Sequence, residues 1–179
     1  MRRNAVATVL TLLVAVLLVA CAAPPKMADP ELKAVDLDRF AGRWYVLANV
    51  PYFAERDKVG SYVEYVRRAD GRIDDLYFFR KKTLNAPLEQ WTGIATVLDP
   101  PTNARLKASF IWPFSSTFWI AEVDADYQTA LLISPDRKLA WIYSRTPTIA
   151  QAERERLKAS LGALGVDLTT MVDIPQLAM

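Results

Sequence analysis

From Leu37 onward, apolar and polar positions alternate along most of the chain, and turn signals interrupt them at intervals of roughly 10 to 15 residues, as in all-β chains. Alternation puts every second side chain on one face of a half-buried strand. Eight strands are predicted on this basis, over 43–50, 61–68, 72–82, 90–98, 104–112, 117–124, 129–134 and 139–145. Pro51 ends the first. Ala69-Asp70-Gly71 turns the second into the third, with Asp-Gly as the strongest hairpin signal in the chain. Asp99-Pro100-Pro101, Pro113 and Pro135-Asp136 punctuate later connections.

After Thr148 the period changes. In IAQAERERLKASLGALG, Leu157, Leu161 and Leu164 recur at helical spacing, opposite Glu153, Arg154, Glu155 and Lys158. Thr148 and Gln151 have the spacing of a capping box, and Gly165 fits a helix stop. A stripe this narrow docks on a domain surface. Residues 166–177 have room for a short final strand. Sequential strands joined by short turns favour an all-β, eight-stranded, up-and-down antiparallel barrel, with one C-terminal α-helix packed outside it. Closure removes exposed sheet edges, and eight strands enclose either a filled core or one small ligand.

The first 36 residues follow neither pattern. Arg2 and Arg3 precede an apolar and small-residue run from Ala5 to Ala20, and Cys21, the sole cysteine, follows it. A charged start, a short apolar core and small residues before a cut site make a secretory signal. The run is too short for the roughly 20 residues of a membrane span. Leu18-Val19-Ala20-Cys21 resembles the lipobox of bacterial lipoproteins. That resemblance implies cleavage before Cys21, acylation of its thiol and anchorage in a membrane. Ala22 in the next position implies the outer membrane, because aspartate there is the inner-membrane retention signal. Three segments follow: a signal peptide over 1–20, a lipidated N-terminus and proline-rich tether over 21–36, and a barrel domain over 37–179.

Composition narrows the chemistry. Removal of 20 of the 179 residues leaves 159, enough for one domain with a real core. Loss of Arg2 and Arg3 leaves 20 basic side chains against 20 acidic, with no long basic run, so nothing calls for nucleic acid. The chain has no histidine, and acylation consumes its only thiol. A transition-metal site and histidine-based catalysis are thereby disfavoured, and no cofactor is expected. A catalytic base would have to be a carboxylate such as Asp75 or Glu122, both of which read as solvated strand residues.

Three motifs in order carry a family resemblance. Leu37 to Tyr45 (LDRFAGRWY) resembles the first signature of the lipocalins, Gly-x-Trp at the start of the first strand, here Gly42 and Trp44. Val123 to Tyr127 (VDADY) resembles the second, an acidic and aromatic turn carrying Asp126 and Tyr127. Ser144 to Thr148 (SRTPT) resembles the third, with Arg145 ending the last strand. WIYSRTPTI (141–149), together with the lipobox, is similar to the bacterial outer-membrane lipocalins. The physical logic is independent of the family. A guanidinium from Arg145 can stack on the Trp44 indole and donate to nearby carbonyls, plugging one end of the barrel.

Strand parity, with Trp44 and Arg145 inward, then defines an inner face. Val46, Ala48, Val63, Tyr65, Trp91, Gly93, Ala95, Leu106, Ala108, Phe110, Trp119, Ala121, Trp141 and Tyr143 fall on it. Tyr77 and Phe79 are assigned to it on the ambiguous third strand, and the seventh strand has no clear parity. The ligand-wall candidates are Val46, Ala48, Tyr65, Tyr77, Phe79, Trp91, Ala95, Phe110, Trp119, Ala121, Trp141 and Tyr143. Small residues among them leave space that a filled core would close.

The resemblance implies a non-catalytic carrier of a fatty acid or lysophospholipid, lipid-anchored at the bacterial outer membrane. Two readings stand beside it: a lipocalin-like isomerase or other lipid-modifying enzyme using a carboxylate, and a filled structural barrel. The sequence neither requires nor excludes a homodimer. It leaves the natural lipid, and the choice among transport, storage and repair, undetermined.

Overall fold

The computed structural model describes residues 28–111 and 113–177. The segment expected to be a signal peptide, and Cys21, lie outside the described residues. A short helix α1 (Leu37–Phe40) leads into β1 (Gly42–Val50), followed by β2 (Lys58–Arg67), β3 (Ile73–Lys81), β4 (Glu89–Val97), β5 (Arg105–Ile111), β6 (Phe114–Val123), β7 (Thr129–Ile133) and β8 (Ala140–Ser144). Helix α2 (Gln151–Ala163) and the two-residue β9 (Val172–Asp173) close the chain. Every neighbouring pair is antiparallel, and β1 pairs with both β8 and β2, which closes the barrel. β9 adds to β1 at Ala48 and Asn49, where β2 has parted from it. Gln176 reinforces that seam, donating from Nε2 to the carbonyls of Val46 (2.7 Å) and Ser61 (3.1 Å).

Two apolar clusters result. One fills the lower barrel, around Trp44, Val46, Ile73, Ala95, Leu106 and Leu132. The other lies between the outer wall and α2, where Leu157 and Leu161 meet Leu47, Trp119, Leu131 and Ile142. Burying each such leucine contributes about 1.5–3 kcal/mol. β7 is thus covered on both faces, with Ala130 and Leu132 inward and Leu131 and Ile133 under α2. A strand buried on both sides loses alternation, so TALLI shows no parity. The helix stripe forms as its spacing predicts, and Gly165 takes φ +88° beyond its end. The capping box does not. Ala150 is the N-cap, with no side-chain cap, and Thr148 uses its carbonyl to accept from the Thr146 hydroxyl instead.

Chain 28–36 is more than a tether. Val35 is buried and donates to the Thr102 carbonyl (2.9 Å), and the Asp36 amide donates to the Tyr127 hydroxyl (2.8 Å). At the other end of this segment, Arg137 donates to the Ala28 carbonyl (3.0 Å) and pairs with Asp29 (3.3 Å). Thr102 and Tyr127 lie in connections at one end of the barrel, and Arg137 lies in the β7–β8 connection at the other. The segment therefore runs the height of the barrel.

Candidate functional site

One end of the barrel is plugged. The Arg145 guanidinium carbon sits 3.8 Å from the centre of the Trp44 ring. Its nitrogens donate to the carbonyls of Arg43 (2.7 Å), Arg39 (2.6 Å), Ala41 (3.0 Å) and Tyr127 (3.2 Å). Trp44 donates from its indole to the Phe40 carbonyl at 2.7 Å. These acceptors include the carbonyl ends of α1, which a cation suits. Gly42 has φ +91°, a left-handed backbone conformation that glycine adopts without steric cost. Within the second motif, Asp124 rather than Asp126 holds the turn. Its carboxylate accepts from the amides of Gln128 (2.6 Å) and Thr129 (2.9 Å), whereas Asp126 contributes only a carbonyl bond to Gln128.

The other end is open above a cavity of about 870 Å³. That is within the range of small-molecule sites, roughly 300–1,000 Å³. Val63, Ala108, Phe118, Leu132, Trp91 and Trp141 provide apolar wall, and Tyr65, Tyr77 and Tyr143 also line it, the Tyr77 hydroxyl donating to the Ser61 hydroxyl at 3.2 Å. Phe110 leans over Gly93, where a Cβ would lie 2.8 Å from its ring, so the glycine makes room for the aromatic at the mouth.

Two carboxyls also face the cavity. The turn Phe53–Glu55 between β1 and β2 folds Glu55 inward, where the Trp141 indole donates to it at 3.1 and 3.3 Å and the Tyr52 amide at 3.2 Å. Asn49 donates to it weakly at 3.4 Å, and the Asn49 Oδ1 is buried without a partner. Burial pushes Glu55 up to about 7, against the effect of those hydrogen bonds. Asp75, flanked across the sheet by Tyr65 and Gly93, is only 4% exposed. Among the described residues, no hydrogen bond or ion pair reaches its carboxyl. Burial first, and the charge of Glu55 second, push Asp75 up to about 7 as well. Beside the cavity, the Lys58 ammonium lies over the rings of Phe79 (3.9 Å) and Trp91 (4.3 Å), and burial lowers its pKa.

The family model of the lipocalin-like domain matches residues 35–176, from the segment beside α1 to the end of the β9 seam. The chain belongs to the lipocalin-like family. Outer membrane lipoprotein Blc of Citrobacter freundii is 33% identical over 168 residues, spanning 90% of this chain and 92% of that protein. The Blc lipoprotein of Escherichia coli K12 is 31% identical over 166 residues, with the same two shares. Among solved structures, insecticyanin from Manduca sexta superposes with a TM-score of 0.64 at 18% identity, covering 83% of this chain and 84% of that one. That likeness speaks for the fold alone.

Within this lipocalin, the sequence-derived wall residues divide into three groups. Tyr65, Tyr77, Trp91, Phe110, Trp141 and Tyr143 line the cavity. Val46, Phe79 and Ala95 face inward but belong to the packed interior around it. Ala48, Trp119 and Ala121 point out of the barrel, into the layer beneath α2. Bulges cause this last departure. The β1–β8 register slips between Val46 and Ala48, and the β6–β7 register slips between Ile120 and Glu122. One extra residue reverses the alternation beyond it. Phe118 and Ile120 therefore take the inward places on β6, and Asn49 does so on β1. The guanidinium groups of Arg105 and Arg137 each lie 5.4 Å from the centre of the Trp119 ring.

The two carboxylates considered as bases also part company. Glu122 lies outside, paired with Arg156 at 2.7 Å. Asp75 is inside, contrary to its reading as a solvated residue. Its place was available from parity, because it precedes inward Tyr77 by two positions. Glu55 gave no periodic signal, being in a connection. The clue to it was Trp141, since an inward indole N–H needs an acceptor.

Proposed function

We propose that this lipocalin is a lipid-anchored carrier that holds a fatty acid or lysophospholipid in its barrel at the bacterial outer membrane. The observation that carries the reading is the open cavity of about 870 Å³, walled by aromatic and aliphatic side chains with three tyrosines among them. Apolar walls suit an acyl chain, and a few polar groups fix its head. The signal over 1–20 and the lipobox cysteine support the anchor, and the similarity to outer membrane lipoproteins supports the address. The protein acts as a binder and not as an enzyme in this reading.

Titration of the delipidated protein with a long-chain fatty acid and with a lysophospholipid tests the cavity. Both should bind saturably at micromolar strength or tighter, on the order of −8 kcal/mol. Trp91 and Trp141 line the cavity and serve as fluorescence reporters. Ala108→Phe should abolish the signal while the barrel stays folded, given an overpacking cost of about 1–3 kcal/mol. Absence of saturable binding would return the barrel to a structural role. The anchor is tested separately: the mature chain carrying Cys21→Ser should come off the membrane fraction in high salt, which the acylated parent should resist.

The cavity-facing carboxyls of Asp75 and Glu55 favour a second reading, carboxylate-dependent modification of the bound lipid. An acid near 7 is suited to proton transfer at neutral pH. Lipid recovered from the titration should be chemically unchanged. Turnover that disappears in Asp75→Asn would put the enzyme ahead of the carrier.

A further inference from the structure

We propose that the open rim of the barrel docks onto the anionic phospholipid bilayer that holds the protein's own acyl anchor, so that the cavity mouth faces the lipid. The proposal rests on the lipid-anchor reading of Cys21 and goes beyond it, by fixing which end of the barrel meets the membrane. Three observations carry it.

The first is where the described chain begins. Segment 28–36 runs from the plugged end to the open end, and Arg137 in the β7–β8 connection holds Ala28 and Asp29 there. Cys21 precedes Ala28 by seven residues. Seven residues reach at most about 25 Å. An anchor at Cys21 thus leaves the body from the side of the mouth, away from the Arg145 plug.

The second is the exposed apolar surface at that rim. Phe53 in the β1–β2 connection is 70% exposed, and Phe114 at the start of β6 is 74% exposed. Tyr52, Leu88 and Phe110, also exposed, stand on the same rim. Large exposed apolar groups gathered in one place mark an interaction surface. Aromatic rings with solvent on one side suit the headgroup boundary of a bilayer.

The third is charge. Arg56, Lys81, Lys82 and Lys138 are exposed at this rim, against exposed Asp29, Asp57 and Asp136 and a partly exposed Glu89. Lys81 is paired with Glu89 and Lys138 with Asp136, which leaves Arg56 and Lys82 as the rim cations without an ion-pair partner among the described residues. Cations interleaved with aromatics match an anionic lipid surface, where each basic side chain adds favourably. Ligand would then pass between bilayer and cavity without crossing water.

The test uses the complete mature chain carrying Cys21→Ser, so that any membrane binding comes from the rim. Its co-sedimentation with vesicles of phosphatidylethanolamine and phosphatidylglycerol should be saturable. It should weaken with added salt and be weaker on phosphatidylcholine vesicles. The double variant Phe53→Ser/Phe114→Ser should lower the affinity at least about tenfold. Arg56→Glu/Lys82→Glu should lower it several-fold on the anionic vesicles and leave fatty-acid titration in solution unchanged. Leu98→Ser, an exposed apolar position at the plugged end, should bind vesicles like the parent. The proposal falls if the parent ignores both vesicles, if the phenylalanine pair can be removed without loss, or if Leu98→Ser loses as much. It also falls if sedimentation velocity shows the phenylalanine pair to hold two copies together, since a second chain is then the occupant. Failure of the carrier reading appears in the solution titration, and failure of docking appears on the vesicles.

Discussion

Arg145→Ala should lower the melting temperature by about 6–12 °C, taking a loss of about 3 kcal/mol and the 2–4 °C per kcal/mol typical of domains this size. The loss is estimated from charge-assisted hydrogen bonds at about 1.5–3 kcal/mol each, counted well short of additively. Arg145 is the common donor to carbonyls of α1, β1 and the β6–β7 turn, and it covers the Trp44 face. Truncation leaves those carbonyls without their donor and uncovers an indole that is fully buried. Arg145→Lys keeps the charge but lacks the planar fork, so it should recover only part of the loss. Lipid affinity should change little in variants that remain folded, because the plug closes the end opposite the mouth. Thermal denaturation alongside the lipid titration separates the two effects. An Arg145→Ala protein that melts with the parent would remove the plug from the account of stability.

The plug was legible in the sequence because its parts are local and chemically distinctive. A glycine before a tryptophan and an arginine at a strand end each have few other uses, and both sit where the alternation begins or stops. The cavity was legible only in part, for a reason of geometry. Parity propagates along a strand until a bulge interrupts it, and nothing in VLANV or WIAEV announces an extra residue. Trp44 therefore locates Val46 but not Ala48, and parity points to Trp119 where Phe118 lines the cavity. Asp75 shows the opposite failure. Its alternation with Tyr77 places it inside, against the general rule that carboxylates face water. Such a rule is weakest where a cavity is built for use, since a polar group there can be buried for a ligand or for chemistry rather than for the fold.

That buried acid leads to the second large expectation. The protein should be less stable at about pH 8 than at about pH 5 in the absence of ligand, by a few kcal/mol in all. An acid whose folded pKa is raised keeps its proton to higher pH in the native state than in the unfolded chain. Asp75 and Glu55 both move from their ordinary values, 3.8 and 4.5, to about 7. The native state therefore binds more protons between about pH 4 and pH 7, and stability falls as pH rises through that window. Below the window both states are protonated and the difference vanishes. Above it the full penalty for charging a buried carboxyl remains, at about 1.4 kcal/mol per pKa unit. Asp75→Asn keeps the shape of the side chain and removes its titration. It should stabilise the barrel most at about pH 8, less at about pH 5 and little below about pH 4, and reduce the slope between them, leaving the share that belongs to Glu55. Denaturant unfolding across that range gives the slopes directly. A parent protein equally stable at both ends would mean that water or a neighbouring group already solvates Asp75. In that case the carboxyl would have the ordinary acidity of an exposed strand residue, and the case for carboxylate chemistry in the cavity would go with it.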